Sequence, residues 1–398
     1  MANNNINELL SRGIQNIYPT KEFLENKLKK GEKLTIYLGI DPTGPTLHLG
    51  HAIQIKKLAE FQKLGHKIIL LMGDFTAMIG DPTDKGAARK QLTHKEVMFN
   101  LKNYKKQASK LISFTGKNKA QFKFNSKWLG KMNFEKVLSL ASNMTVQQML
   151  ERDMFDKRIK EGKPIFIHEF MYPLMQGYDS VAMDVDGEIG GNDQTFNMLC
   201  GRDLMKTIKN KEKFVITGKL LEDNSGKKMG KTENNMLALC DSNEEMFGKI
   251  MSWTDGLILP GFELCTNVST SDIENIASEL KKEANPKDFK LRLAREIVII
   301  YHGEKKAQDA QENWENTFSK KEIPEDVQDI YAQYLTTLRD VFVKNKIISS
   351  NNDFRRLITE GAITNLSKNK KILNTHEIVD GGVYRIGKKR FCNIIVTK

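Results

Sequence analysis

Cysteine is scarce in this chain, with four in 398 residues, at Cys200, Cys240, Cys265 and Cys392, and none at C-x-x-C spacing. That excludes a disulfide framework and a thiolate metal centre. The seven histidines form no H-E-x-x-H pair, so no protein-bound metal site is predicted. Long hydrophobic runs are missing too. The longest, Ile68 to Met72 and Ile297 to Tyr301, are far shorter than a bilayer crossing requires, and no membrane segment is expected. The opening Met-Ala-Asn-Asn-Asn-Ile-Asn-Glu has neither a basic region nor an apolar one, which predicts no secretory signal and a cytoplasmic protein. With nine prolines and no low-complexity tract, the composition is that of a folded chain. Neither the full Walker A pattern G-x-x-x-x-G-K-[ST] nor G-x-G-x-x-G occurs, so two common nucleotide-binding loops are excluded.

What the chain has in excess is positive charge, +12 overall with a pI near 9.2. The excess is uneven. From Asp340 to Lys398 there are 12 Lys and Arg against 5 Asp and Glu, and such a basic tail suits a polyanionic partner. A chain of this length exceeds one hydrophobic core, which predicts two or three domains.

Periodicity places the elements. Asn7 to Lys29 reads as two short helices broken at Pro19, Leu34 to Ile40 as a buried strand, His48 to Leu64 as a helix, and Lys67 to Met72 as a second buried strand. That βαβ unit implies a parallel sheet covered by helices on both faces. Residues 93–165 read as a charged helical insertion with Phe122 to Asn125 extended. Val181 to Asp186 alternates like a strand, Asp193 to Lys206 is helical, and Phe214 to Thr217 is a strand. Beyond Cys240 the pattern is helical to about Leu338, punctuated by Pro260, Pro286 and Pro324. The remainder is a small module in which Phe354 to Gly361 is a helix and the stretches around Gly382 and Phe391 to Val396 are strands. The expected architecture is α/β: a Rossmann-like parallel-sheet domain over 1–240, an all-α domain over 241–338 and a small α+β module over 339–398.

Two motifs carry chemistry. His48-Leu-Gly-His51 sets two imidazoles three residues apart at a helix start, where N–H groups and the helix dipole favour phosphate, and Gly50 leaves room for a nucleotide base. Lys228-Met-Gly-Lys231-Thr232, in a Gly- and Lys-rich loop, can close over a triphosphate. Either motif alone also fits a solvated surface. Together, in this order and context, they resemble the signatures of class I aminoacyl-tRNA synthetases, although Gly230 stands where the family's loop usually has serine.

The likeness narrows further to the bacterial tyrosyl enzymes. It rests on Tyr37-Leu-Gly-Ile-Asp-Pro-Thr43, on the Tyr172-x-x-x-Gln176-x-x-Asp179 helix and on Gly190-Gly-Asn-Asp-Gln194, with Thr195 where many relatives have tryptophan. Tyr172, Gln176 and Asp179 share one helix face, which must meet a ligand or be costly to bury.

The resemblance implies that Tyr37 and Asp179 hold a substrate phenol, that Asp81, Tyr172 and Gln176 hold its ammonium group, and that Gln194 lies near its carboxylate. Gly39, Asp41, Thr43, Gly50, Gly191, Asp193, Met229 and Lys231 would line the adenylate. His48, His51, Lys228, Lys231 and Thr43 would act on the phosphates, with ATP and Mg2+ as substrate and ion. It also implies a homodimer working on tyrosine and tRNA(Tyr), with no protein nucleophile. The insertion, with its basic face Lys102, Lys105, Lys106, Lys110, Lys117, Lys119, Lys123 and Lys127, would serve dimerisation and the tRNA acceptor arm. The helices over 241–338 would take the anticodon side. In the C-terminal module Arg355, Arg356, Lys388, Lys389 and Arg390, with Lys368, Lys370 and Lys371, would contact tRNA phosphates. Two rivals stay open: a tryptophanyl enzyme, which has no general use for the Tyr37 and Asp179 pair, and a non-catalytic RNA-binding descendant, which has no need of His48, His51, Lys228 and Lys231.

Overall fold

The computed structural model describes residues 2–82, 91–222, 236–318, 327–368, 370–387 and 390–397. The chain divides into two units, Met1–Gln311 and Glu312–Lys398.

The first unit is built on a six-stranded sheet in the order β1-β6-β5-β2-β3-β4. Its strands are β1 Ile14–Tyr18, β2 Thr35–Ile40, β3 Lys67–Met72, β4 Gln121–Phe124, β5 Gly187–Gly191 and β6 Phe214–Gly218. β2 through β6 run parallel, and β1 lies antiparallel on β6. β3 is buried at every position after its first, as expected of a parallel strand covered on both faces. The helix Leu49–Lys63 connects β2 to β3. Strand order reverses at β2, which has β3 and β4 on one side and β5 and β6 on the other. In sheets of this kind the crevice lies beyond the carboxyl ends of the strands at that reversal.

Three sequence-based elements are corrected. The segment read as two helices contains β1 between the helices Ala2–Leu9 and Lys21–Lys29. Its partner β6 lies about two hundred residues away, so local periodicity could not reveal it. The alternating stretch Val181 to Asp186 is no strand. It completes the helix Ile167–Met183 and turns out through Asp184, whose φ of 50° is left-handed. The strand begins at Gly187, in a segment too glycine-rich to advertise itself. Third, Asp329–Gln333, read as helical, is strand β7 with alternating exposed and buried positions.

Five helices, Asn243–Met251, Ile258–Cys265, Thr270–Lys281, Pro286–His302 and Glu304–Phe318, follow the sheet. Arg12 clamps them to the β1 side by donating to the carbonyls of Phe262, Glu263, Thr266 and Val268 at 3.1, 2.9, 3.0 and 2.6 Å. The second unit carries β7, β8 Ile363–Asn365, β9 Lys370–Lys371, β10 Gly382–Ile386 and β11 Arg390–Thr397 in the order β7-β11-β10-β8-β9. In its core Phe342 meets both Phe354, from the next helix, and Tyr384 of β10. Among the described residues no helix is long and apolar enough to cross a membrane.

Close packing explains one glycine of β5. A Cβ at Gly187 would stand 2.0 Å from the buried Phe214 ring, whereas one at Gly248, inside the helix Asn243–Met251, would meet nothing within 4 Å. Gly187→Ala is therefore expected to destabilise the fold by about 1–3 kcal/mol. Gly248→Ala should stabilise it by about 0.5–1 kcal/mol. Denaturant midpoints of the two variants check the pair, and shifts of the same sign would contradict this packing.

Candidate active site

At the crevice the helix Ile167–Met183 turns its polar face toward the sheet, and each group on that face is tied to a different element. Tyr172 donates to the Asp41 carboxylate just after β2 at 2.8 Å. Gln176 donates to Glu188 of β5 at 3.1 Å. Asp179 accepts from the Trp128 indole at 2.7 Å and from Asn125, just after β4, at 3.2 Å. The expected shared face is thus present. Its groups are all buried or partly buried, as their mutual pairing requires.

Tyr37, in the middle of β2, is fully buried with its hydroxyl 2.9 Å from Ser180 Oγ. Burial raises its titration well above the ordinary tyrosine range, reinforced by the charges of Glu188 and Asp179, so it stays a neutral phenol. Tyr172 is raised in the same way by burial and then by Asp41 and Asp81. Asp179 is pushed well above the usual carboxylate range by burial, and the Trp128 and Asn125 donors oppose that rise.

One residue expected at the ammonium group, Tyr172, is bonded to one expected at the adenylate, Asp41, while Asp81 belongs to a separate cluster. Asp41 accepts from Thr76 at 2.7 Å as well as from Tyr172, and Asp81 accepts from Gln194 at 2.8 Å. Asp81 also pairs with Arg152 at 3.3 Å, an arginine lying against the Phe155 and Phe196 rings. Gly39 is the one exposed position among buried neighbours in the second half of β2. Thr43 donates its N–H to the Asp41 carbonyl at 2.8 Å. At Gly191 a Cβ would stand 2.5 Å from Asp193 Oδ1, so the glycine lets that carboxylate fold close to the strand end.

His48 and His51 do sit at a helix start, where the His48 and Gly50 backbone amides are taken up by the two imidazoles and the Leu49 amide by the Leu237 carbonyl. His48 Nδ1 accepts from the Gly50 N–H at 3.1 Å and His51 Nδ1 from the His48 N–H at 3.2 Å, with the rings 3.8 Å apart. A neutral imidazole accepting at Nδ1 carries its proton on Nε2, so each ring presents Nε2–H as its donor. Gly50 serves the same cap: a Cβ there would press on the His48 ring at 3.0 Å.

Lys228, Met229, Lys231, Lys388 and Lys389 lie outside the described residues. Within the lysine-rich insertion, Lys110 is structural in part, donating to the Leu239 carbonyl at 2.9 Å beside the Tyr301 ring. In the second unit Arg355 is exposed, whereas Arg356 pairs with Asp353 and Glu360, and Arg390 donates to the Ile347 carbonyl at 2.6 Å. Sequence reasoning missed Asn125, Trp128, Arg152, Ser180, Glu188 and Lys213. Only Ser180 and Glu188 adjoin a recognised motif.

The family model for tRNA synthetases class I (W and Y) matches residues 29–319. The chain is 42% identical to tyrosine–tRNA ligase 2 of Clostridium acetobutylicum over 98% of both chains. It is 41% identical to the tyrosine–tRNA ligase of Carboxydothermus hydrogenoformans, again over 98% of both. A C-terminally truncated mitochondrial tyrosyl-tRNA synthetase of Aspergillus nidulans shares the fold with a TM-score of 0.67 at 22% identity, covering 79% of this chain and 94% of that one.

The donors on Asp179 favour its charged form. Trp128→Phe removes the 2.7 Å donor and keeps most of the apolar volume, so the Asp179 carboxyl should titrate higher still. The titration of its 13C resonance in aspartate-labelled protein checks this. A midpoint that stays put or falls would contradict it.

Proposed function

The chain belongs to the class I tRNA synthetases for tryptophan and tyrosine, its activity is that of a tyrosine–tRNA ligase, and we propose how its residues divide that work. Tyrosine and ATP give tyrosyl adenylate and pyrophosphate, and the tyrosyl group then passes to the terminal adenosine of tRNA(Tyr). The observation that carries the assignment is the pair of buried groups, Tyr37 on β2, the strand where the order reverses, and Asp179 on the facing helix. A phenol entering there finds a hydroxyl and a carboxylate. Phenylalanine brings no hydroxyl to meet either, so the bonds each would make to the phenol are lost, and the tyrosyl enzymes are a known instance of rejection by that rule.

In this reading Asp81, Tyr172 and Gln176 take the ammonium group and Gln194 lies near the carboxylate. Gly39, Asp41, Thr43, Gly50, Gly191 and Asp193 line the adenylate, Asp193 accepting from the ribose hydroxyls. The tyrosine carboxylate attacks the α-phosphorus in line with departing pyrophosphate, so positioning and charge stabilisation do the catalysis. The Nε2–H groups of His48 and His51 donate to the phosphates, joined by Lys228 and Lys231 and by Thr43. Magnesium, when bound with ATP, would supply charge neutralisation on the phosphates.

The part read as 1–240 is assigned to catalysis, the helices after 241 to the anticodon side and the basic C-terminal module to tRNA phosphates. A homodimer is supported by exposed apolar side chains in the insertion and just after it, notably Phe134 at 75% and Ile167 at 82% exposure. The cytoplasm, where tRNA is charged, is its expected place.

Tyr37→Phe and Asp179→Asn should each lower the kcat/KM ratio of tyrosine to phenylalanine by about 10- to 100-fold in ATP–pyrophosphate exchange, with the KM for ATP little changed. An unchanged ratio in both variants would overturn the phenol assignment.

A further inference from the structure

Lys213, one residue before β6, is wholly buried, and its Nζ is shared by two partners. It forms an ion pair with Glu188 of β5, itself 2% exposed, and donates to Ser180 Oγ at 2.9 Å. It also lies 5.8 Å from the centroid of the Tyr37 ring. The surroundings are shaped to admit it: a Cβ at Gly201 would stand 2.7 Å from Nζ and 3.1 Å from Ser180 Oγ. Stability alone gives no reason for this arrangement, because buried ion pairs are often matched or bettered by apolar side chains of similar volume.

Hydrogen-bond chemistry gives the pair a direction. An ammonium group only donates, so Ser180 Oγ accepts from Lys213. The serine has one proton, and the hydroxyl 2.9 Å away is Tyr37. With Lys213 donating to it, Ser180 is the better donor of the two, since successive hydrogen bonds polarise one another. Tyr37 then accepts from Ser180 and keeps its own proton to donate, toward the Glu188 carboxylate beside it or to a phenol oxygen that takes that place. Ionised Asp179 is an acceptor and never a donor, and each of its carboxylate oxygens already faces a donor.

We propose that Lys213 and Ser180 are positioning residues for the substrate phenol. The chain Lys213 to Ser180 to Tyr37 makes Tyr37 the donor to the phenol oxygen and leaves the phenol proton for Asp179. Glu188 anchors this chain and, through its other oxygen, fixes the Gln176 amide at 3.1 Å. The proposal rests on Tyr37 and Asp179 being the phenol partners.

The test uses full-length Ser180→Ala, which leaves the ion pair intact, and the paired variant Lys213→Met with Glu188→Gln, which leaves no lone buried charge. Both are compared with wild type and Tyr37→Phe by pyrophosphate exchange. Each should raise the KM for tyrosine about tenfold and narrow the tyrosine-to-phenylalanine ratio in step, with kcat and the KM for ATP within about twofold. Adding Ser180→Ala to Tyr37→Phe should narrow the ratio no further, because both act on one hydrogen-bond chain. An unchanged ratio in folded Ser180→Ala and in the paired variant, with Tyr37→Phe still altering it, would overturn the relay and leave the phenol assignment standing. If Tyr37→Phe also left the ratio unchanged, both would fall. A matching loss in the KM for ATP and in kcat would mark the residues as merely structural and overturn the proposal.

Discussion

Charge taken out of water beside β2 is the constraint from which the site's arrangement follows. Glu188 and Lys213 sit in the sheet interior, where an ion loses several kcal/mol of hydration that only close partners return. Their partners are Ser180 and Gln176, four residues apart on the helix Ile167–Met183, and the pair therefore fixes how that helix is rotated against the sheet. Once the rotation is set, Tyr172 meets Asp41 and Asp179 meets Asn125 and Trp128. One helix face is thereby pinned to the ends of β2 and β4 and to the body of β5.

The same physics divides the reaction between two kinds of surface. In the proposed reading the tyrosine end, around Tyr37 and Asp179, is buried and already hydrogen-bonded, which suits discrimination between side chains differing by one hydroxyl. The phosphate end differs in kind. There the imidazoles of His48 and His51 accept from the Gly50 and His48 amides, and in the proposed reading their Nε2–H groups make the donors that meet charge side chains rather than backbone. Transition-state stabilisation of that sort is effective because the donors are held in place before charge develops.

Much of this was legible in the sequence. The βαβ unit showed in its buried runs, and Tyr172, Gln176 and Asp179 showed as one helix face because their spacing is local. β1 was hidden, since its hydrogen bonds come from β6 across most of the domain. Val181 to Asp186 misled because six alternating residues fit a strand as well as the end of a buried helix, and the helix won through packing at Val181 and Leu174. Lys213 and Arg152 carried no signal at all. Two basic residues among 62 Lys and Arg look like solvated surface until Glu188 and Asp81 are seen to face them.

The account's central claim is that this crevice reads a phenol and couples it to ATP. ATP–pyrophosphate exchange with each of the twenty amino acids in turn, at equal concentration, tests it most directly. Exchange driven by tyrosine, with phenylalanine and tryptophan at background, is the predicted result. Exchange driven by tryptophan, or none with tyrosine, would contradict it.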